Sequence, residues 1–177
     1  MEYGYSCMGY EIAGGLGVKL AHPDREVFVM VGDGSYLMLN SEIATSVTMG
    51  KKLVIVVLDN HGFGCIHRLQ QACGGAPFNN LLGEEAPPPA IDFAGHARSL
   101  GAAAELVKSI GDLEAALARA RGADRTTVLV IETDPLAPTA AGGTWWDVAV
   151  PEVSDRAEVR DAYARYVEAR RRQRPGG

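Results

Sequence analysis

The sequence predicts an α/β fold, a doubly wound parallel sheet with helices on both faces, built as a single domain. Two observations predict it. Residues 27–31 (VFVMV), 53–58 (LVIVVL) and 127–132 (TVLVIE) are short β-branched and apolar runs without polar alternation, the pattern of strands buried on both faces. Between these runs lie stretches of helical character, and an order that alternates strand and helix builds a sheet covered by helices. Parallel crossovers are right-handed, which leaves few other topologies.

Taken in order, residues 8–22 are rich in Gly and Ala and form a predicted helix that Pro23 stops. The strand at 27–31 runs into Gly32-Asp33-Gly34. A second helix is expected over 40–49, with Asn40 or Ser41 as its cap and Gly50 in the C′ position. The strand at 53–58 ends in Asp59-Asn60-His61-Gly62. Residues 74–89, with Gly, Asn and three consecutive prolines, read as a long irregular loop of the kind that often serves as a lid. A helix over 90–100 precedes a small strand near 103–107. Ser109-Ile-Gly-Asp112 then resembles a capping box, with Leu113, Ala116, Leu117 and Ala120 at helical spacing and Gly122 as the stop. Residues 137–143 form another loop, and 155–172 a final amphipathic helix that leads into a frayed basic tail. The expected division is a cofactor-binding domain over 1–154 and a helix with tail over 155–177.

Composition excludes several classes. The 177 residues are 47% hydrophobic and 22% charged, with a net charge of −5, so nothing draws the chain globally to nucleic acid or to an anionic membrane. No apolar run approaches the ~18 residues that span a bilayer. The first ten residues lack the features of a signal peptide. Three cysteines, Cys7, Cys65 and Cys73, without framework spacing read as reduced thiols of a cytoplasmic protein.

In an open parallel sheet, ligands bind beyond the carboxyl ends of the strands. Two of the strong strands end there in hard oxygen donors, Asp33 and Asn60. Glycines on both sides of Asp33 allow backbone N–H groups to approach a phosphate. Magnesium takes oxygen ligands in octahedral geometry and shares its shell with phosphates. One carboxylate, one amide and one backbone carbonyl, with two diphosphate oxygens and a water, complete such a shell. The plain alternative is that Asp33 and Asn60 are turn residues after strands.

Gly32-Asp33-Gly34-Ser35, with Asp59-Asn60 at the end of the next strand, resembles the signature of thiamine-diphosphate enzymes. The resemblance implies Mg2+ on Asp33, Asn60 and the carbonyl of Gly62, with Gly32, Gly34 and Ser35 at the diphosphate. Asp59 stands where many members carry Asn. Met8-Gly9-Tyr10 resembles the segment whose methionine supports the bent cofactor, a role suited to a soft thioether. Segments 2–13 (EYGYSCMGYEIA), 35–43 (SYLMLNSEI), 59–66 (DNHGFGCI), 145–148 (WWDV) and 152–154 (EVS) are similar to the trihydroxycyclohexanedione hydrolases of inositol breakdown. That likeness implies cleavage of a carbon–carbon bond beside a ring carbonyl, with the cofactor as electron sink. It also implies a pyrimidine-binding domain on another chain, in a homo- or hetero-oligomer, because neither Glu2 nor Glu11 sits in the setting expected of the glutamate that serves the pyrimidine. A non-catalytic cofactor-binding or oligomer-forming chain, or another acetolactate-synthase-like enzyme, stays open.

Other constellations are weaker. His61, Cys65, His67 and Cys73 include zinc-ligand types, but their spacing matches no usual pair. His61 is a candidate contact to diphosphate or substrate, or an ordinary loop histidine. Gly14-Gly15-Leu16-Gly17 follows no strand and fails the dinucleotide pattern, so close helix packing explains it better. Gly50-Lys51 lacks the rest of a Walker loop. Glu168 interrupts the C-terminal arginines, which suit a helix C-terminus. Trp145 and Trp146 lie near the site or an interface, or simply pack the C-terminal segment.

Overall fold

The computed structural model describes residues 7–82, 91–137 and 148–173. Its elements in chain order are α1 (Glu11–Ala21), β1 (Phe28–Gly32), α2 (Asp33–Met38), α3 (Glu42–Thr48), β2 (Val54–Asp59), α4 (Gly64–Ala72), α5 (Phe93–Ser99), β3 (Ala103–Val107), α6 (Ile110–Gly122), β4 (Thr127–Glu132) and α7 (Ala157–Arg172). The chain divides into two compact units, Met1–Gly62 with Pro88–Asp134, and Phe63–Pro87 with Pro135–Gly177.

The first unit holds a four-stranded sheet in the order β1-β2-β4-β3 with every pairing parallel. Alternate residues of each strand face opposite layers. Val29, Val31, Ile55, Val57, Val128 and Val130 meet Ile12 and Leu16 of α1, Tyr36 of α2, Ile43 of α3, and Phe93 and Ala97 of α5 in the larger core. Val54, Val107 and Leu129 face the other way onto Ala116 and Ala120 of α6. The sheet is therefore covered by helices on both faces, as its unbroken apolar runs require. On the α6 side the outermost strand stays open: Phe28 and Met30 of β1 remain exposed, Met30 by 66%.

Several local signals act as read. Ser109 accepts from Asp112 N at 3.1 Å and starts α6, which runs through Gly122. Gly50 follows α3 at φ +61, with its N–H on the Val47 carbonyl. Gly15 lets α1 lie directly on Val29, where a Cβ would collide with the valine side chain.

Other details differ. β1 and β2 each start and end one residue later than their apolar runs, because pairing follows the register Phe28↔Val54 to Gly32↔Leu58. α1 starts at Glu11 instead of Met8, since Gly9 adopts φ +85 and turns the chain first. Ser41 makes no side-chain cap; the first turn of α3 is closed by the backbone carbonyls of Asn40 and Ser41. α5 has a cap of its own, Asp92, whose carboxylate accepts from Gly95 N at 2.7 Å. α2 and α4 are helices over stretches to which the sequence reading assigned no element. Burial of Tyr36 fixes α2: its hydroxyl pairs with His96 Nδ1 at 2.9 Å and its ring meets Phe93 edge-on at 5.4 Å. Residues 83–89 of the proline-rich loop and 138–143 of the loop at 137–143 lie outside the described residues.

In the second unit, Gly74 at φ +82 comes so close to the backbone of Glu158 that no Cβ would fit, and its carbonyl accepts from Arg156 Nε at 2.8 Å. The end of α7 is not a free basic patch. Arg172 pairs with Glu168 at 2.9 Å, and Arg170 lies 5.7 Å from the ring centroid of Tyr166.

Candidate cofactor and metal site

The parallel sheet brings Gly32, Asp59 and Glu132 to one end, through the pairings Gly32↔Leu58 and Asp59↔Glu132. From Gly32, which is extended at φ −75 and ψ 156, the chain passes straight into α2, so Asp33 is that helix's first residue. Asp33 is 1% exposed. Its Oδ2 accepts from Gly62 N at 2.6 Å, and its Oδ1 faces Asn60 N at 3.4 Å.

The β2–α4 turn aims these N–H groups inward. His61 has φ 60 and Gly62 has φ 139, both in the left-handed half of backbone space. A non-glycine residue in that region costs energy that its neighbours must offset. Asp59 Oδ1 accepts from His61 N at 3.0 Å. The His61 ring lies between two carboxylates, Nδ1 at 3.4 Å from Asp59 and Nε2 at 3.2 Å from Glu132. Asp59 is held in turn through its carbonyl, which accepts from Thr133 N at 2.7 Å.

The Asn60 amide tests the site for a cation. One of its terminal atoms lies 3.1 Å from Asp33 Oδ1 and 2.9 Å from the Gly62 carbonyl oxygen. Without an ion that atom must be nitrogen, donating to both oxygens; as oxygen it would make three acceptors converge with no proton between them. Magnesium–oxygen bonds of ~2.0–2.1 Å place adjacent octahedral ligands about 2.8–3.0 Å apart. The donor set and its spacing fit a small hard cation.

Burial pushes the Asp33 carboxyl above the ordinary carboxylate value. The backbone N–H groups of Gly62 and Asn60 oppose that shift, the Asp59 charge adds to it, and the Gly34 N–H opposes it again. A cation would favour the ionised form.

Gly34 and Ser35 follow Asp33 and are buried. The Ser35 hydroxyl is already engaged: it donates to Glu11 Oε1 at 2.8 Å and accepts from Gly9 N at 3.1 Å. Met8, next to that tether, is 38% exposed. Thus Asp33, Asn60 and Gly62 converge, Gly34 and Ser35 adjoin them, and Met8 is tied to them through Gly9. The His61 ring turns instead toward Asp59 and Glu132. Trp145 and Trp146 lie outside the described residues. Sequence reasoning missed Glu132 and the link from Glu11 to Ser35; the only local hint was a carboxylate opening an otherwise apolar helix. Among the described residues, no group of three or more His, Cys, Asp or Glu is placed to hold a metal, which bears on the His/Cys set weighed for zinc.

A buried carboxylate after one parallel strand is thus joined to an amide and a carbonyl after the next, three hard oxygen donors at one end of the sheet. Residues 1–131 match the family described as thiamine pyrophosphate enzyme, C-terminal TPP binding domain. The chain belongs to that family and is a thiamine-diphosphate-binding domain. Among curated relatives it is 46% identical over 171 residues to the 3D-(3,5/4)-trihydroxycyclohexane-1,2-dione hydrolase of Geobacillus thermodenitrificans, covering 92% of this chain and 27% of that protein. It is 43% identical over 164 residues to the enzyme of the same name from Bacillus subtilis, covering 92% and 26%. The chain thus spans about a quarter of the length of these relatives. Among solved structures, a thiamine diphosphate-dependent 4-hydroxybenzoylformate decarboxylase from Rhodococcus jostii superposes with a TM-score of 0.65 at 25% identity, over 72% of this chain and 23% of that one. Benzoylformate decarboxylase from Polynucleobacter necessarius shares the fold, with a TM-score of 0.61 at 22% identity over 71% and 23%. No helix among the described residues is long and apolar enough to cross a membrane.

Proposed function

We propose that this chain holds the diphosphate of thiamine diphosphate through Mg2+ on Asp33, Asn60 and the Gly62 carbonyl. It does so as part of a hydrolase that breaks a carbon–carbon bond of trihydroxycyclohexane-1,2-dione and opens the ring to 5-deoxyglucuronate in inositol breakdown. The observation that carries the metal assignment is the Asn60 amide atom at 3.1 Å from Asp33 and 2.9 Å from the Gly62 carbonyl, close to the spacing of neighbouring magnesium ligands. The substrate assignment rests on the relatives of that name at 43% and 46% identity.

Bound thiamine diphosphate supplies the electron sink for the breaking bond. This chain's residues bind and orient it. Gly32 and Gly34 let the backbone approach the diphosphate, Ser35 shapes the loop, and Met8 would support the cofactor's ring system. His61, fixed by Asp59 and Glu132, keeps the turn that presents Gly62. The reading includes a pyrimidine-binding domain supplied by another chain in a homo- or hetero-oligomer, so turnover needs that partner. It places the chain in the cytoplasm, where the free thiols of Cys7, Cys65 and Cys73 stay reduced.

Calorimetric titration with thiamine diphosphate, with and without magnesium, tests the reading. Saturable binding that requires magnesium is expected. Binding that ignores magnesium would sink the metal assignment. Magnesium-dependent binding without turnover in every pairing with a pyrimidine-domain chain would leave a cofactor-binding or oligomer-forming protein in place of an enzyme.

A further inference from the structure

Glu11 opens α1, yet its carboxylate acts 24 positions along the chain, at the loop that carries Asp33. The Ser35 hydroxyl has one proton, which it gives to Glu11 Oε1, and the same oxygen takes the N–H of Gly9. Ser35 is 5% exposed, so water competes little for either bond. Gly9 has φ +85, and a Cβ there would press on Met38 Cβ at 3.1 Å, so the turn at Met8-Gly9 lies against the end of α2. The segment that presents Met8 therefore hangs from α2 by one hydroxyl, and one carboxylate orients that hydroxyl.

Stability alone is a poor reason for a carboxylate here. Glu11 Oε2 is buried and has no hydrogen-bond partner among the described residues. A half-satisfied carboxylate costs free energy that an apolar side chain would avoid.

We propose that Glu11 is a positioning residue for the thiamine end of the cofactor. Through Ser35 and Gly9 it sets Met8 relative to the loop that receives the diphosphate. The Ser35 hydroxyl is then a tether inside the protein, and the loop meets the diphosphate with backbone N–H groups. This inference rests on the cofactor reading above. The competing account is that Glu11 only complements the N-terminal dipole of α1, which would make its removal a matter of stability.

The experiment uses the full chain with Glu11→Ala, Glu11→Gln, Ser35→Ala and the Glu11→Ala/Ser35→Ala double variant. Each is titrated calorimetrically with two probes in the presence of magnesium, thiamine diphosphate and inorganic diphosphate, and each is melted without ligand. Glu11→Ala is expected to weaken thiamine diphosphate roughly tenfold while inorganic diphosphate stays within about twofold. The ligand-free melting temperature falls only by the few degrees that one lost hydrogen bond costs, and inorganic diphosphate affinity does not follow it. Glu11→Gln, whose amide oxygen still accepts from Ser35, restores the affinity. The double variant is no weaker than either single one, because both cut the same tether. Equal loss for both probes, a fall in melting temperature that tracks the affinity, or a glutamine no better than alanine overturns the proposal. A wild-type chain that binds both probes equally overturns it while sparing the diphosphate–metal site. A folded wild type that binds neither removes the cofactor reading itself.

Discussion

Replacing Asp33 by asparagine separates the charge at the centre of the site from its shape. The introduced amide can keep its oxygen on Gly62 N, where the carboxylate now accepts at 2.6 Å, and turn its NH2 toward the Asn60 amide oxygen. The contact from Asn60 N, already long at 3.4 Å, is given up, and so is the hydrogen bond from the Asn60 amide to the Gly62 carbonyl at 2.9 Å. The charge itself is a burden to the ion-free fold. Burial raises the Asp33 pKa, so the folded state binds this proton more tightly than the unfolded chain does. That contribution favours folding in acid, is lost as pH rises through the folded value, and is gone at neutral pH. The relieved charge offsets the lost hydrogen bond, so in magnesium-free buffer at neutral pH Asp33→Asn should melt close to the wild-type temperature. With magnesium and thiamine diphosphate at a hundred times the dissociation constant, the wild type gains about 2.7 kcal/mol. For a chain of this size that is about 5–11 °C in melting temperature. The variant should gain none. Differential scanning calorimetry with and without ligand reads both arms. An unchanged ligand shift in the variant would refute Asp33 as the metal's carboxylate. A large loss of stability in the ion-free variant would refute the claim that its charge is a cost.

Two further changes address the framework that positions the site. Tyr36→Phe removes the hydroxyl on His96 Nδ1 and should cost about 1 kcal/mol in thermal or urea unfolding at neutral pH. Burial pushes the Tyr36 phenol up to about 12, so the stability it contributes is present below the ordinary value of 10 and lost as pH rises toward 12. The phenylalanine variant should lack that component of the alkaline decline, and identical alkaline melting profiles would contradict it. Ser109→Ala removes the cap on Asp112 N and should lower stability by about 1 kcal/mol while leaving magnesium-dependent cofactor binding untouched. A parallel loss of affinity would show that α6 is coupled to the site in a way its position on the sheet does not explain.

The features legible in the sequence are those fixed by neighbours in the chain. Residues 54–59 and 127–132 announce buried strands because both faces are apolar, and Ser109 announces a helix because its cap bond spans three residues. Asp33 and Asn60 were legible because each directly follows a strand, and a parallel sheet delivers such residues to one end. What escaped depends on distance along the chain. α2 begins with Asp-Gly-Ser, which reads as a turn, and it is helical because Tyr36 is drawn into the core beside Phe93 and His96. The strand order β1-β2-β4-β3 places Glu132 beside Asp59, and nothing local to either residue tells that His61 will be gripped between them. The Ser35 hydroxyl was read as a diphosphate donor; only the folded backbone brings it to Glu11 and Gly9.

The Asn60 amide also bears on how quickly the proposed site would exchange an ion. Turning that one side chain end for end changes it from a donor satisfying Asp33 and Gly62 into a third oxygen facing them, with no shift of the backbone. An empty site is thus already closed by internal hydrogen bonds, and loading it asks for a side-chain rotation, a motion far faster than any domain rearrangement. Magnesium sheds its waters reluctantly. The slow partner in loading is then the hydrated ion, so loading should keep pace with the rate at which the incoming metal exchanges water.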